Sequence, residues 1–283
     1  MAATYGPLLF TLFLWWFSTG AVLYAIGLPR HSVPALMTAA TAAALAALYG
    51  LSSTSTDAST GAAYTAFTCG LVIWAWHEMS FLTGVVTGPR TSPLPGREGE
   101  IGPQRAPFGA SVETVIYHEA AIALTVALAA ILTWGAPNQT GLWTLVVLWL
   151  MRLSAKFNVY LGVPNLTEQF LPDHLAYLKG YFCRRPMNLL FPVSVTVSTA
   201  VTGLLVLAAI NPSASEFETA SYTFLATLMG LAVLEHWFLV VPLPAAELWT
   251  WGLASREGAA ASETDTPAPP GPHQARRPVS AAS

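Results

Sequence analysis

The sequence predicts an all-α protein, a polytopic membrane helix bundle with about seven transmembrane helices. Of its 283 residues 54% are hydrophobic and only 10% are charged, whereas soluble domains carry roughly 25% charged residues. The mean hydropathy is +0.52. The apolar residues are gathered into segments of membrane-spanning length, and the basic residues fall in alternate loops. These three features together predict a chain whose main solvent is lipid.

Each predicted helix is an apolar segment long enough to cross a bilayer core of about 30 Å at 1.5 Å per residue. The first has no positively charged residues before it and no clear cleavage site, which favours a retained span over a signal peptide. The second is rich in Ala and only marginally apolar. The predicted segments are 5–27, 33–51, 61–86, 112–134, 141–161, 188–210 and 219–243.

The distribution of Lys and Arg predicts the orientation of the chain. The loops after the first, third and fifth helices and the C-terminal tail contain basic residues, and the other three loops contain none. Basic loops stay in the cytoplasm, so we expect the N-terminus outside and the C-terminus in the cytoplasm. The residues concerned are Arg30; Arg90, Arg97 and Arg105; Lys179, Arg184 and Arg185; and Arg256, Arg276 and Arg277.

Outside the spans the sequence predicts little regular structure. Residues 1–253 form the predicted transmembrane helix-bundle domain, and residues 254–283, rich in Ala, Ser, Pro and Thr, form a predicted disordered cytoplasmic tail. Residues 87–110 are predicted to be an irregular loop. Within 162–187, Leu175, Leu178 and Phe182 recur at helical spacing, which indicates an interfacial amphipathic helix acting as a lid or partner surface, or else an ordinary loop. A net charge of −3 gives no indication of nucleic acid as a partner.

Five charged residues lie within the predicted spans, where charges are costly and mark functional sites. They are placed about 8–14 Å from the predicted cytoplasmic ends of four different helices. The five are Glu78, Glu119, Arg152, Lys156 and Glu235.

Each of these glutamates has a histidine beside it, and Asp173 and His174 form a fourth acidic pair near Glu168. Imidazole and carboxylate together suit iron, manganese or zinc, and di-iron proteins build their centres from Glu and His on facing helices. The sequence thus predicts a di-metal centre. Adjacent residues on a helix point about 100° apart, however, whereas the usual di-iron pattern places Glu and His three apart. The candidate ligands are His77, Glu78, His118, Glu119, Glu168, His174, Glu235 and His236.

Two other interpretations of the same residues remain open. The first is a structural polar network in which Glu–His hydrogen bonds and basic counter-charges satisfy buried groups without a metal. The second makes one or more histidines axial ligands of a tetrapyrrole, or places these residues on a proton path. Arg152 and Lys156 share a helix face and could bind an anionic part of a cofactor, although Lys156 is more simply expected to extend to the membrane interface and Arg152 to have a buried partner. Trp76 could pack on a planar ligand or in the core.

Several stretches resemble the PuhE-type photosynthetic complex assembly proteins of purple phototrophic bacteria, and the likeness extends over most of residues 5–250. The stretches are Trp76-His-Glu-Met-Ser-Phe-Leu-Thr-Gly84, Gly88-Pro-Arg90, Pro137-Asn-Gln-Thr-Gly-Leu-Trp143, Met151-Arg-Leu-Ser-Ala-Lys-Phe-Asn158, Leu161-Gly-Val-Pro-Asn-Leu-Thr-Glu168, Leu171-Pro-Asp-His174 and Arg185-Pro-Met-Asn188.

The resemblance implies a multi-pass protein of the bacterial cytoplasmic (inner or photosynthetic) membrane. It would act as an assembly factor for the photosynthetic reaction centre and light-harvesting complex, through an effect on bacteriochlorophyll supply. The implied partners are the lipid bilayer, reaction-centre or light-harvesting subunits and bacteriochlorophyll enzymes. The resemblance assigns no catalytic residues. The alternative is a membrane di-metal oxidoreductase that acts on a lipophilic pigment, a pigment precursor or a quinone, so whether the chain is an enzyme stays open.

Overall fold

Seven long helices and one short helix make up most of the described chain. A computed structural model describes residues 2–97, 100–166 and 168–255, and within these ranges the only β-pairing is two isolated parallel bridges. Each predicted span corresponds to a long helix, with ends displaced by a few residues. The helices are α1 (Ala2–Ile26), α2 (Val33–Thr54), α3 (Thr60–Leu82), α4 (Phe108–Val112), α5 (Ile116–Leu132), α6 (Thr140–Leu161), α7 (Leu190–Ala209) and α8 (Glu216–Phe238).

Five of the described helices are long and apolar enough to cross a membrane. They are Thr4–Ile26, Arg30–Thr54, Thr140–Leu161, Leu190–Ala209 and Glu216–Phe238. The helix α5 is apolar but only 17 residues long, and α3 carries His77, Glu78 and several hydroxyl residues. A membrane protein is therefore supported, while seven spans and the orientation of the termini stay predictions.

Local sequence signals explain several helix ends. The Ser59 hydroxyl caps α3 by accepting a hydrogen bond from the backbone N–H of Ala62 at 3.2 Å. Ser215 and Glu218 form a reciprocal capping box at the start of α8. The helix α6 ends at Gly162, whose φ of +113° is readily adopted only by glycine.

The bundle is packed around α8, which contacts α1, α3, α6 and α7. At its centre the rings of Phe67 and Phe224 stack with centroids 4.4 Å apart. Ala63 and Ala220 are fully buried beside them, and such small residues let helices approach closely in a membrane. A second cluster, including Leu51, joins α2, α3, α5 and α6.

Two connecting segments, 87–115 and 162–187, fold against each other at one end of the bundle, and we call them the cap. The backbone N–H of Arg184 donates to Gly102 O at 3.0 Å, and the Tyr181 hydroxyl donates to Ser92 O at 2.8 Å. The first segment is irregular as predicted, apart from α4. The predicted amphipathic helix of the second segment is a 3-10 helix, Asp173–Tyr181.

The C-terminal part of the described chain lies along α1. The Trp249 indole donates to Trp16 O at 2.9 Å, and the Trp16 indole donates to Leu248 O at 2.8 Å. Gly20 allows this approach, because a Cβ there would lie 2.0 Å from the Trp251 ring. The predicted disordered tail, 254–283, lies outside the described residues apart from its first two positions.

Candidate functional site

A cavity of about 490 Å³ lies between α1, α3, α6 and α8 and is closed at one end by the cap and Trp249. Its lining runs from Phe67 to Leu82 on α3 and from Val147 to Tyr160 on α6. At 1.5 Å per residue these runs give a length of about 20 Å along the bundle. Most lining residues are apolar, and four of the five intramembrane charges found in the sequence, all except Glu119, belong to the lining.

The two cations of α6 form ion pairs with glutamates of two other helices. Arg152 Nη2 lies 2.9 Å from Glu78 Oε2, and Lys156 Nζ lies 2.5 Å from Glu119 Oε1. The Trp149 indole also donates to Glu119 Oε2 at 2.9 Å. Arg152 thus has the carboxylate partner that was expected. The expectation that Lys156 reaches for the interface is wrong, because Glu119 holds its ammonium group inside the bundle.

Glu235 on α8 projects into the cavity. Its Oε1 accepts a hydrogen bond from the Trp15 indole on α1 at 2.7 Å. The side chain is exposed although it lies in the interior of the bundle, because the cavity lies against it. Arg152 lies within electrostatic range of this carboxylate. Glu78, Arg152 and Glu235 therefore place charges from three helices on one cavity wall.

His236 is held at both ring nitrogens by groups of the protein. Nδ1 lies 2.9 Å from Ala232 O, and Nε2 lies 3.0 Å from the Ser154 hydroxyl. A carbonyl oxygen can only accept, so Nδ1 carries a ring proton. Ser154 continues to Ser194 at 3.0 Å, which links α6, α7 and α8. His236 thus belongs to a polar network, but its partners are a backbone carbonyl and a serine, and not the glutamate that the predicted Glu–His network requires.

His77 and His118 are brought together, and each is almost completely buried. Their ring centroids are 6.2 Å apart in a T-shaped arrangement. A direct hydrogen bond between two imidazoles needs centroids about 5 Å apart, so the rings do not satisfy each other. Both nitrogens of His77 and Nδ1 of His118 lack a hydrogen-bond partner in the described part of the chain.

The remaining predicted ligands, Glu168 and His174, lie in the cap, and Glu168 also lines the cavity. Glu168 forms a two-pronged ion pair with Arg184 in the cap, at 2.9 and 3.1 Å. His174 packs beside Gly84 and is not among the residues that line the cavity. The Trp76 indole donates to the Thr41 hydroxyl on α2 at 2.9 Å, and its ring packs on His77. Trp76 is not among the residues that line the cavity.

No group of three or more His, Cys, Asp or Glu residues close enough to hold a metal occurs within the described ranges. The reason is the angle between adjacent helical residues. His77 and His118 point at each other, while the neighbouring carboxylates turn away to Arg152 and Lys156. This arrangement favours the polar network for the carboxylates. The di-metal centre stays a prediction in which the two histidines would be the nucleus.

A tetrapyrrole axial ligand finds limited support among the described histidines. Of these, His236 alone lines the cavity, and its Nε2 already lies at hydrogen-bond distance from Ser154. Coordination would require that bond to break. Tetrapyrrole contact therefore stays a prediction.

Sequence reasoning missed Trp15 and Trp149, which donate to Glu235 and Glu119. For both residues, the position on the helix face could have indicated this role. Trp149 lies three residues before Arg152 and seven before Lys156, which places all three on one face of α6. Trp15 lies on the face of α1 that also carries Thr11, Ser18 and Thr19, the polar positions of an otherwise apolar helix.

A family model described as "Protein of unknown function (DUF3623)" matches residues 1–260. The chain belongs to this family. It is also 39% identical over 251 residues to a Rhodobacter capsulatus protein described as "Uncharacterized 30.4 kDa protein in puhA 5'region". That alignment covers 87% of this chain and 90% of the relative, so the two share the bundle and its cavity-lining segments. No solved structure matches the chain.

Proposed function

We propose that this protein is a membrane assembly factor for the photosynthetic reaction centre and light-harvesting complex, and that it holds a lipophilic pigment, pigment precursor or quinone in its cavity. The first half draws on the resemblance of the sequence to PuhE-type proteins. It is also supported by the relative whose description places it in the puhA 5' region, which is consistent with a role in photosynthesis.

The cavity is the observation that carries the second half of the proposal. Binding sites for small molecules are clefts of roughly 300–1,000 Å³ with mainly apolar walls and a few placed polar groups. The cavity, at about 490 Å³, has these properties. It runs along helices of membrane-spanning length, so a ligand could enter from lipid without passing through water. Its charged wall gives such a ligand one defined polar contact.

The di-metal oxidoreductase is a second candidate, and the buried pair His77 and His118 is the observation that favours it. Two imidazoles with unpartnered nitrogens are suitable first ligands for a divalent transition metal. If the protein is such an enzyme, gently purified protein will contain roughly one to two iron, manganese or zinc atoms per chain. Functional protein without stoichiometric metal would exclude this candidate and leave the assembly role intact.

The test of the assembly role is deletion of the gene in its native host, followed by complementation. The near-infrared absorption of reaction-centre and light-harvesting complexes should fall, while growth without light is unaffected. A normal near-infrared spectrum would refute the assignment.

Two variants, each expressed in the deletion strain, test whether the cavity is needed for the assembly role. Ala75→Phe places a ring into the cavity lining of α3, and Ala46→Phe places the same ring on the exposed face of α2. If a ligand occupies the cavity, Ala46→Phe restores the absorption and Ala75→Phe does not. Equal restoration by both variants would show that the cavity has no part in assembly. Both variants should insert to the same level, which immunoblotting of membranes checks.

A further inference from the structure

The charges that line the cavity are not balanced. Its lining contains Glu78, Glu168 and Glu235 together with Arg152 and Lys156. Arg152 is paired with Glu78, Lys156 with Glu119, and Glu168 with Arg184. Among the described residues, Glu235 alone of these lining carboxylates has no cation within ion-pair distance. The formal charges of the cavity wall therefore sum to one excess negative charge.

The hydrogen bonding of Glu235 leaves it ready for another partner. A carboxylate offers about four acceptor positions, and the Trp15 indole occupies one of them on Oε1. Oε2 accepts no hydrogen bond from the described residues. Trp15 also fixes the direction of the carboxylate, because its indole donates to Oε1 from α1. The Glu235 carboxylate is thus held in one orientation and still has acceptor positions without a hydrogen bond from the described residues.

An anionic ligand would meet unfavourable contacts here. Its headgroup would face the unpaired charge of Glu235, and both cations of α6 are already neutralised by glutamates. Drawing Arg152 away from Glu78, whose Oε2 lies 2.9 Å from Nη2, would leave that carboxylate unpaired. A hydrogen-bond donor or a cation meets no such cost and completes the acceptor positions of Glu235.

We propose that the cavity selects a lipophile whose polar end is a hydrogen-bond donor or a cation, and that Glu235 binds this end. The apolar residues Leu71, Val147, Leu148, Leu228 and Leu231 line the cavity and receive the apolar part. The inference rests on the proposed ligand-holding role of the cavity and narrows it. Long-chain alcohols, quinols and macrocycles that hold a Mg²⁺ ion fit this chemistry. Free carboxylic acids, lipid phosphates and oxidised quinones, whose carbonyls only accept, do not.

The experiment compares three probes that share one octadecyl chain and differ only in the headgroup. Octadecylamine, 1-octadecanol and octadecanoate are added at equal concentration, near neutral pH, to the full-length protein in neutral detergent. Bound probe is counted by native mass spectrometry. We expect octadecylamine and octadecanol to bind one per chain and octadecanoate to bind at least about tenfold more weakly, because like charges in a desolvated site repel strongly.

The variant Glu235→Gln keeps the shape and the acceptor for Trp15 but removes the charge. It should weaken octadecylamine binding by about tenfold or more and abolish the discrimination between amine and acid. Glu247→Gln removes the same charge at an exposed position outside the cavity lining and should leave all three affinities unchanged. If Glu235→Gln does not fold, the relative binding of the three probes to the wild-type protein still shows which headgroup class the cavity selects.

The possible failures are distinguishable. Octadecanoate binding as tightly as octadecylamine would overturn this inference and leave the cavity as a ligand site. Unchanged octadecylamine binding in a folded Glu235→Gln protein would overturn the role of Glu235. Absence of binding by all three probes would remove the inference together with the ligand-holding part of the proposed function.

Discussion

At the scale of single residues, the intramembrane charges act as helix-to-helix contacts. Glu119 on α5 is held by Lys156 and Trp149 of α6, and Glu78 on α3 by Arg152 of α6. Removing one partner of a buried pair leaves an uncompensated charge, which costs more than the pair contributes. Lys156 and Glu119, whose side chains are 25% and 16% exposed, therefore fix α6 against α5 as long as both members are present.

The pair of Lys156 and Glu119 allows a direct test of this view. Lys156→Met should lower the free energy of unfolding by about 2 kcal/mol or more, because Glu119 keeps only its indole donor. The double variant Lys156→Met with Glu119→Gln should recover most of the loss. Thermal unfolding in detergent measures both. Equal losses in the single and double variants would contradict the prediction.

A matched control exists on the surface of the cap. Arg90 Nε and Glu113 Oε2 are 2.7 Å apart, but their side chains are 33% and 49% exposed. Solvent screens such a pair, so Arg90→Met should change stability by about 0–1 kcal/mol.

The sequence predicted the depth of these residues along their helices but not their direction around them. Depth follows from counting residues along a span, and it correctly placed Glu78, Arg152 and Glu235 at one level. Direction depends on which face of each helix meets which neighbour, and this is set by packing over the whole bundle. The sequence foresaw a partner for Arg152 and, from their adjacency, the different directions of His77 and Glu78. It did not foresee the partner of Lys156.

At the scale of elements, the helices followed the sequence closely and the cap did not. Long apolar segments with capping residues specify helices locally. The spacing of Leu175, Leu178 and Tyr181 is three residues, which suits a 3-10 helix with one face on Phe81. The recurrence of Leu175, Leu178 and Phe182 in the sequence predicts ordinary α-helical spacing instead. The 3-10 form goes with the burial of Leu175 and Leu178 against Phe81 of α3, which is remote in sequence.

Gly88 tests how tightly the cap is built. A Cβ at this position would lie 2.1 Å from Glu113 O, a backbone atom that cannot move without shifting the segment. Gly88→Ala should therefore destabilise the cap by about 1–3 kcal/mol, which limited proteolysis between residues 87 and 115 would detect as faster cleavage.

Gly109 is the control for that experiment. It lies in α4, and a Cβ there meets nothing within 4 Å. Gly109→Ala should leave the cleavage rate unchanged or lower it, because alanine favours helix. Equal acceleration by both substitutions would show that any added methyl group loosens the cap.

At the scale of the whole molecule, the membrane topology depends on α3 and α5. These are the two long helices that are not among the five described helices long and apolar enough to cross a membrane. If both cross, the chain has seven spans, and the segments after α3 and after α6 emerge on the same side. If neither crosses, the chain has five spans, and these segments emerge on opposite sides. The segments in question, 87–115 and 162–187, are the two halves of the cap.

Contacts within the cap favour seven spans. Arg184 N–H donates to Gly102 O, Tyr181 donates to Ser92 O, and Arg185 Nε donates to Pro103 O at 3.1 Å. Backbone groups on opposite sides of a hydrocarbon core of about 30 Å cannot make such bonds. We therefore predict that reporter fusions after residues 28, 95, 180 and 260 report cytoplasm, and that fusions near 56, 138 and 214 report the outside. Five spans with the same start predict the same results except after residue 95. A fusion there that reports the outside would refute both the seven-span topology and the folded cap.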